Sequence, residues 1–221
     1  MDRWITPVTL RGAHAQLEPL AHAHRAPLAA AVRDGRLWEL WYTSAPRPDA
    51  LDKWLEAALA LREDAGAMPF AVRRLSDSRI VGTTRMFNVD AANRRLEIGH
   101  TWYAKSAQRT AVNTECKLML LEHAFGTLGC VAVELRTHFM NRDSRQAIER
   151  LGARLDGILR HHQIMPNGTL RDTCVYSIVA PEWPAVQANL RWRLERSSAG
   201  APLTASGSDG ESQSDEESRS C

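Results

Sequence analysis

Four cysteines in 221 residues are too few for a disulfide scaffold. None of Cys116, Cys130, Cys174 and Cys221 stands in a C-x-x-C pair, so buried thiols in a reducing cytoplasm are expected. The eight histidines include His22-x-His24 and His161-His162, with no H-E-x-x-H or Cys/His set beside them. No metal is therefore expected. No apolar run approaches the roughly 20 residues of a membrane span. The opening MDRWITPVTLRG lacks the apolar core of an export signal. Charge of one sign is also missing: the formal net charge is only +2. That excludes a strongly basic nucleic-acid binder and leaves a cytoplasmic protein with no membrane or nucleic-acid partner as the expectation.

The charge that is present is unevenly placed. From Ser197 the chain reads SSAGAPLTASGSDGESQSDEESRSC, with acids at Asp209, Glu211, Asp215, Glu216 and Glu217 against Arg219 alone. Such a segment cannot bury enough apolar surface to offset its ordering entropy. Residues 1–196 are therefore expected to form one domain and residues 197–221 a disordered tail. Outside that tail 27 Lys and Arg face 21 Asp and Glu, a surplus suited to an anionic small ligand.

The hydrophobic periodicity sets the element order. VTLRG at 8–12 reads as a short strand, the segment from Leu17 as a helix broken at Pro27, and residues 49–66 as a second helix stopped by Gly66. PFAVRRL, SRIVGTTRMFNVD and RRLEIGHTWY then alternate as strands joined by turns too short for crossovers, which predicts an antiparallel meander. A helix closed by Gly126 and Gly129, a strand VAVELRTHF, a helix over 142–151, a hairpin turning at Asn167-Gly168, and a closing helix from Pro181 complete the chain. This is an α/β domain with a mixed, mostly antiparallel sheet.

The order of LEIGHTWY, VNTECKLMLLEHAF, VELRTHFMNRDSRQAIERLGA, GILRHH, NGTLRDTCVYSI and PEWP resembles the GCN5-related N-acetyltransferases. Within them it resembles the branch of ribosomal-protein N-terminal acetyltransferases, over residues 10–194. The resemblance implies a domain whose sheet splays at an acetyl-CoA site. It implies direct transfer of an acetyl group to a primary amine in a ternary complex, the acceptor being a protein N-terminus or a small molecule. A catalytically weak CoA-binding regulatory module of the same fold is the alternative, and monomer and homodimer both stay open.

Acetyl-CoA presents a pyrophosphate, a peptide-like arm and a thioester. A helix N-terminus suits the pyrophosphate, and Gln108, Arg109, Thr110, Ala111, Val112 and Asn113 open the helix after the meander. The family usually has Gly-x-Gly or Gly-x-Ala here. Arg109 replaces the first glycine, either turning outward to add charge for phosphate or straining the turn. Thr110 can offer its hydroxyl to the same anion.

By the resemblance, the backbone of Ile98, Gly99, His100, Thr101 and Trp102 receives the arm, and Asn141 contacts it or a bound water. Ser144 lies near the sulfur, where its hydroxyl can protonate the leaving thiolate. Asn141 also reads as an ordinary N-cap. A base must take the amine proton: Glu97 is the first candidate, against a simple ion pair. His100 is the second, expected on the face of Ile98 and Trp102 opposite Glu97, and His138 is weaker. Trp38, Trp41 and Tyr42 are either a flat wall for the acceptor or packing.

Overall fold

The computed structural model describes residues 4–43, 45–63 and 66–198. One eight-stranded sheet runs in the order β1-β2-β3-β4-β5-β6-β8-β7. Its strands are β1 (Leu10–Arg11), β2 (Ala15–Pro19), β3 (Ala67–Arg74), β4 (Ile80–Asp90), β5 (Arg95–Tyr103), β6 (Ala132–His138), β7 (Arg154–Ile164) and β8 (Leu170–Val179). The helices are α1 (Arg25–Arg33), α2 (Leu51–Glu63), α3 (Ala111–Glu122), α4 (Arg142–Leu151) and α5 (Trp183–Ser198). Ser197 and Ser198 thus continue α5, and residues 199–221 of the expected tail lie outside the described residues. Among the described residues no helix is long and apolar enough to cross a membrane.

β3, β4 and β5 form the expected antiparallel meander. β5 and β6 are parallel, joined by the α3 crossover that parallel strands require. The sequence expectation failed at Leu17, which lies in β2 paired with Leu10 and Val72 rather than in a helix. Only Ala15 and Leu17 are fully buried there, and two points are too few to reveal a period of two. Pro27 does not break the helix either. It is the third residue of α1, where a backbone N–H would have no intrahelical acceptor to lose.

Side chains on β5 show which helix covers which face. Thr101 Oγ1 accepts a hydrogen bond from Lys117 of α3 at 2.9 Å, while the Trp102 ring meets Trp54 of α2 edge-on at 6.1 Å. α3 and α2 therefore cover opposite faces, and the core fills both sides of the central strands. Lys117 is buried with Cys116 and Glu115 on the same helix. Burial lowers the Lys117 ammonium to about 8. α4 lies on the α3 side, where Tyr176 donates to Glu149 at 2.8 Å and Arg145 donates to the Tyr176 hydroxyl at 3.1 Å. Cys116, Cys130 and Cys174 are buried free thiols.

Candidate active site

Pairing between β5 and β6 ends at Glu97↔Glu134, although the strands continue to Tyr103 and His138. β4 meanwhile stays paired with β5 as far as Gly82↔Tyr103. The β6-facing backbone of Ile98, Gly99, His100, Thr101 and Trp102 therefore borders a wedge between diverging strands. Its N–H and C=O groups can pair with a peptide-like arm.

A bulge inside β5 overturns the expected facing of His100. Thr83 pairs with Trp102 and Arg85 with Gly99, so two residues of β5 stand opposite Thr84 alone. His100 takes the left-handed conformation at φ +48°. The extra residue shifts the alternation: Glu97, Gly99 and Trp102 share one face, and Ile98 and Thr101 the other. His100 turns to the Glu97 face, its ring edge-on to Phe87 at 4.8 Å. The surrounding protein lowers its imidazole to about 4, helped by the Arg85 and Arg171 guanidinium charges.

Glu97 is only 5% exposed. Its Oε2 accepts from Asn88 Nδ2 at 2.8 Å and lies 3.5 Å from Arg136 Nε. Neighbouring Arg95 and Arg136 instead make their short bonds to Glu134, at 2.6 and 2.7 Å. Glu97 Oε1 accepts no hydrogen bond among the described residues, and it lies 3.6 Å from where a Cβ on Gly99 would stand. The free oxygen thus looks along β5 toward the wedge. Burial raises the Glu97 carboxyl above the usual range, against the Asn88 bond and the Arg136 charge. A cavity of about 160 Å³ lies at the paired end of β5, lined by Glu97 with Asn88, Arg95, Glu134 and Arg136, roomy enough for water among polar partners.

The α3 entrance has the shape a phosphate needs. Arg109 sits at φ +58°, the left-handed conformation that a glycine would adopt without cost. The turn therefore forms despite the substitution, and the exposed side chain extends into solvent. Thr110 is the N-cap. Its hydroxyl donates to Ala107 O at 2.7 Å and accepts weakly from Val112 N at 3.4 Å, so that proton is not turned toward an anion as anticipated. Gln108 braces the turn by donating to Tyr103 O at 3.0 Å. Ala111, Val112 and Asn113 form the first helical turn, with N–H groups lacking intrahelical acceptors. Asn113 Oδ1 is buried with no protein partner; as an acceptor it can take an N–H or O–H group but not a phosphate oxygen. The left-handed turn at Arg109 and the free N–H groups of the first turn of α3 fit a CoA pyrophosphate. Replacing Arg109 with Ala should raise the CoA dissociation constant about three- to tenfold at low salt, and about 0.5 M salt should erase most of the difference. Calorimetry at both salt concentrations checks this.

The far wall of the wedge is β6 and the mouth of α4. Asn141 Oδ1 caps α4 by accepting from Ser144 N at 3.0 Å, and Gly152 ends the helix at φ +101°. Ser144 is half-buried on that first turn. Trp41 and Tyr42 gather around His138, at 5.0 and 6.3 Å. They meet each other edge-on at 77°, so they form a corner rather than a flat wall. Trp38 packs against the core. Missing from the sequence reading are Asn88, which fixes Glu97, and Arg85, which lies 5% exposed in the middle of a buried strand. A charge at the centre of an apolar run, IVGTTRMF, was the available signal.

Comparison with known proteins agrees with this geometry. Residues 15–154 match the family described as acetyltransferase (GNAT) domain. The Bacillus subtilis protein named "Putative ribosomal N-acetyltransferase YdaF" is 28% identical over 145 residues, 65% of this chain and 78% of its own. A crystal structure of a GCN5-related N-acetyltransferase from Brucella melitensis superposes with a TM-score of 0.77 at 28% identity, covering 86% of each chain. Mycobacterium smegmatis RimJ, in complex with CoA-disulfide, shares the fold at a TM-score of 0.71 and 21% identity, covering 85% of this chain and 95% of its own. With its splayed sheet, left-handed turn and capped α3, the chain belongs to the GNAT acetyltransferase family and is an N-acetyltransferase.

Proposed function

We propose that the protein transfers the acetyl group of acetyl-CoA to a primary amine by direct attack, with Glu97 as the base. The observation that carries this reading is Glu97 itself: one oxygen held by Asn88, the other unbonded beside Gly99 at the start of the wedge. Acetyl-CoA supplies the activated acetyl group on its thioester, and the new C–N bond forms as the C–S bond breaks. Glu97 Oε1 takes the amine proton, directly or through a water molecule. An α-amine, with a reference pKa near about 8, gives up that proton more readily at neutral pH than a lysine near about 10.4. A protein or peptide N-terminus is therefore favoured, consistent with the name of the Bacillus relative.

The β5 backbone from Ile98 to Trp102, the Gln108–Asn113 entrance and Asn141 hold the CoA arm in line, and Ser144 Oγ passes its proton to the departing sulfur while taking one from water. Trp41 and Tyr42 border the acceptor side, with Trp38 behind them. The protein works in the cytoplasm as a single catalytic domain followed by its acidic tail. Arg109 keeps the turn a glycine would make, so the substitution gives no ground for preferring a binding-only module.

The test follows free thiol release from acetyl-CoA with a panel of peptides and small amines. Acceptor-dependent release is expected, and no release beside confirmed CoA binding would overturn the proposal. Ser144→Ala should lower the rate roughly tenfold with CoA affinity within about twofold of the parent. An unchanged rate would remove Ser144 from proton transfer.

A further inference from the structure

On the Glu97 face, four guanidinium groups confront two carboxylates. Arg95 and Arg136 are taken by Glu134, with Arg136 also near Glu97. Arg85 and Arg171 make no ion pair among the described residues, although the Arg171 charge lies near enough to Glu97 to favour its ionised form. Arg85 is 95% buried by its 5% exposure, its Nε is buried without a partner, and no ion pair joins it to an acid among the described residues. Arg171 makes one bond to a neutral atom, donating from Nε to Thr173 Oγ1 at 3.0 Å. The acid next to it, Asp172, instead accepts from Arg160 and from His161 N, at 2.6 and 2.8 Å.

His138 adds a third donor. Its Nδ1 accepts from Met140 N at 3.0 Å, so in the neutral ring the proton is on Nε2, and that atom is buried with no partner. Register puts all three on one face. Arg85 is two residues from Phe87, which stands opposite Glu97. His138 pairs with Thr173, two residues from Arg171.

Buried donors without acceptors are rare in native proteins. An arginine cannot escape by losing its proton, and leaving such a charge unpaired is costly. Two such donors, Arg85 Nε and His138 Nε2–H, with the Arg171 guanidinium on the same face, describe a receptor waiting for an anion. We propose that the acceptor amine carries a carboxylate close by, and that Arg85 receives it with Arg171 and His138 Nε2–H alongside. This deepens the transferase reading and rests on it. The planar fork of a guanidinium matches a carboxylate. That group can come from a free amino acid or from an acidic residue next to a peptide N-terminus.

Two matched pairs separate these sources: a free α-amino acid against its carboxamide, and a tetrapeptide with an acidic second residue against its amide counterpart. In at least one pair kcat/KM should favour the carboxylate by about tenfold or more, and Arg85→Met should reduce that preference below about twofold. Arg85→Lys should restore part of it. CoA binding by each variant reports an intact fold. Equal rates within both pairs would overturn the inference and leave the transferase reading standing, as would a stronger preference for a phosphorylated acceptor. Calorimetry with the N-acetylated peptides and CoA needs no turnover. Selective binding of the acidic product, lost in Arg85→Met, supports the receptor even if thiol release fails with every amine. Indifferent binding overturns it.

Discussion

Glu97→Gln is expected to lower kcat by about 10²–10³-fold while leaving the CoA dissociation constant nearly unchanged. The amide keeps the shape and can still accept from Asn88, but it cannot take a proton. The parent enzyme should also lose activity in acid along a limb that lies above the ordinary carboxylate range, because burial raises the Glu97 carboxyl. The variant should lack that limb. Stability moves the opposite way. A carboxyl whose folded pKa exceeds its unfolded one stabilises the fold below the unfolded value and loses that contribution as pH rises through the folded one. At neutral pH the ionised Glu97 is therefore a cost, and Glu97→Gln should melt no lower than the parent. A slow, equally stable variant is the signature of a base. A variant that is slow because it unfolds, or one that keeps full rate, would remove Glu97 from the chemistry.

Glu115→Ala should have the largest effect on stability, about 3–5 kcal/mol. Its buried carboxylate accepts from Ala13 N, His14 N and Ala15 N at 2.8, 2.7 and 2.6 Å, tying the turn between β1 and β2 to α3. Removing it strands three donors at once. A Cβ on Gly12 would stand 2.3 Å from the Glu115 carboxyl carbon, so Gly12→Ala should disturb the same joint. For a domain of this size the loss corresponds to a melting temperature roughly 10 °C lower. A fall of less than about 2 °C would show that the joint contributes little. Glu115 shares its helix with the Arg109–Asn113 entrance, so CoA binding should protect Glu115→Ala from melting by a smaller margin than the parent.

Much of this architecture was legible because local signals agreed. The meander was marked by alternation and polar turns, and α4 by an Asn cap, a strongly one-sided apolar stripe and Gly152. The splay of the sheet came from the family resemblance and not from local signals. The short β2 was not legible, since Ala15 and Leu17 make no period that a helix could not also make. The bulge at His100 was equally hidden, because one extra residue in LEIGHTWY leaves no mark in composition. Arg85 and Asn88 could be seen but not placed. Their importance comes from what stands opposite them across the sheet, and a single sequence does not record who pairs with whom.

The bulge has a consequence for lineage and engineering as well as for chemistry. β5 behaves as two rulers joined out of phase: the half before His100 reads onto the Glu97 side with one parity, and the half after it reads with the other. Removing that one residue would not shorten a loop. It would exchange the addresses of Thr101 and Trp102, sending the indole toward Lys117 and the hydroxyl toward Trp54. Any alignment that slides this strand by its apolar rhythm will be correct on one side of His100 and inverted on the other. The strand can therefore be transplanted only as a whole, with its break in step preserved.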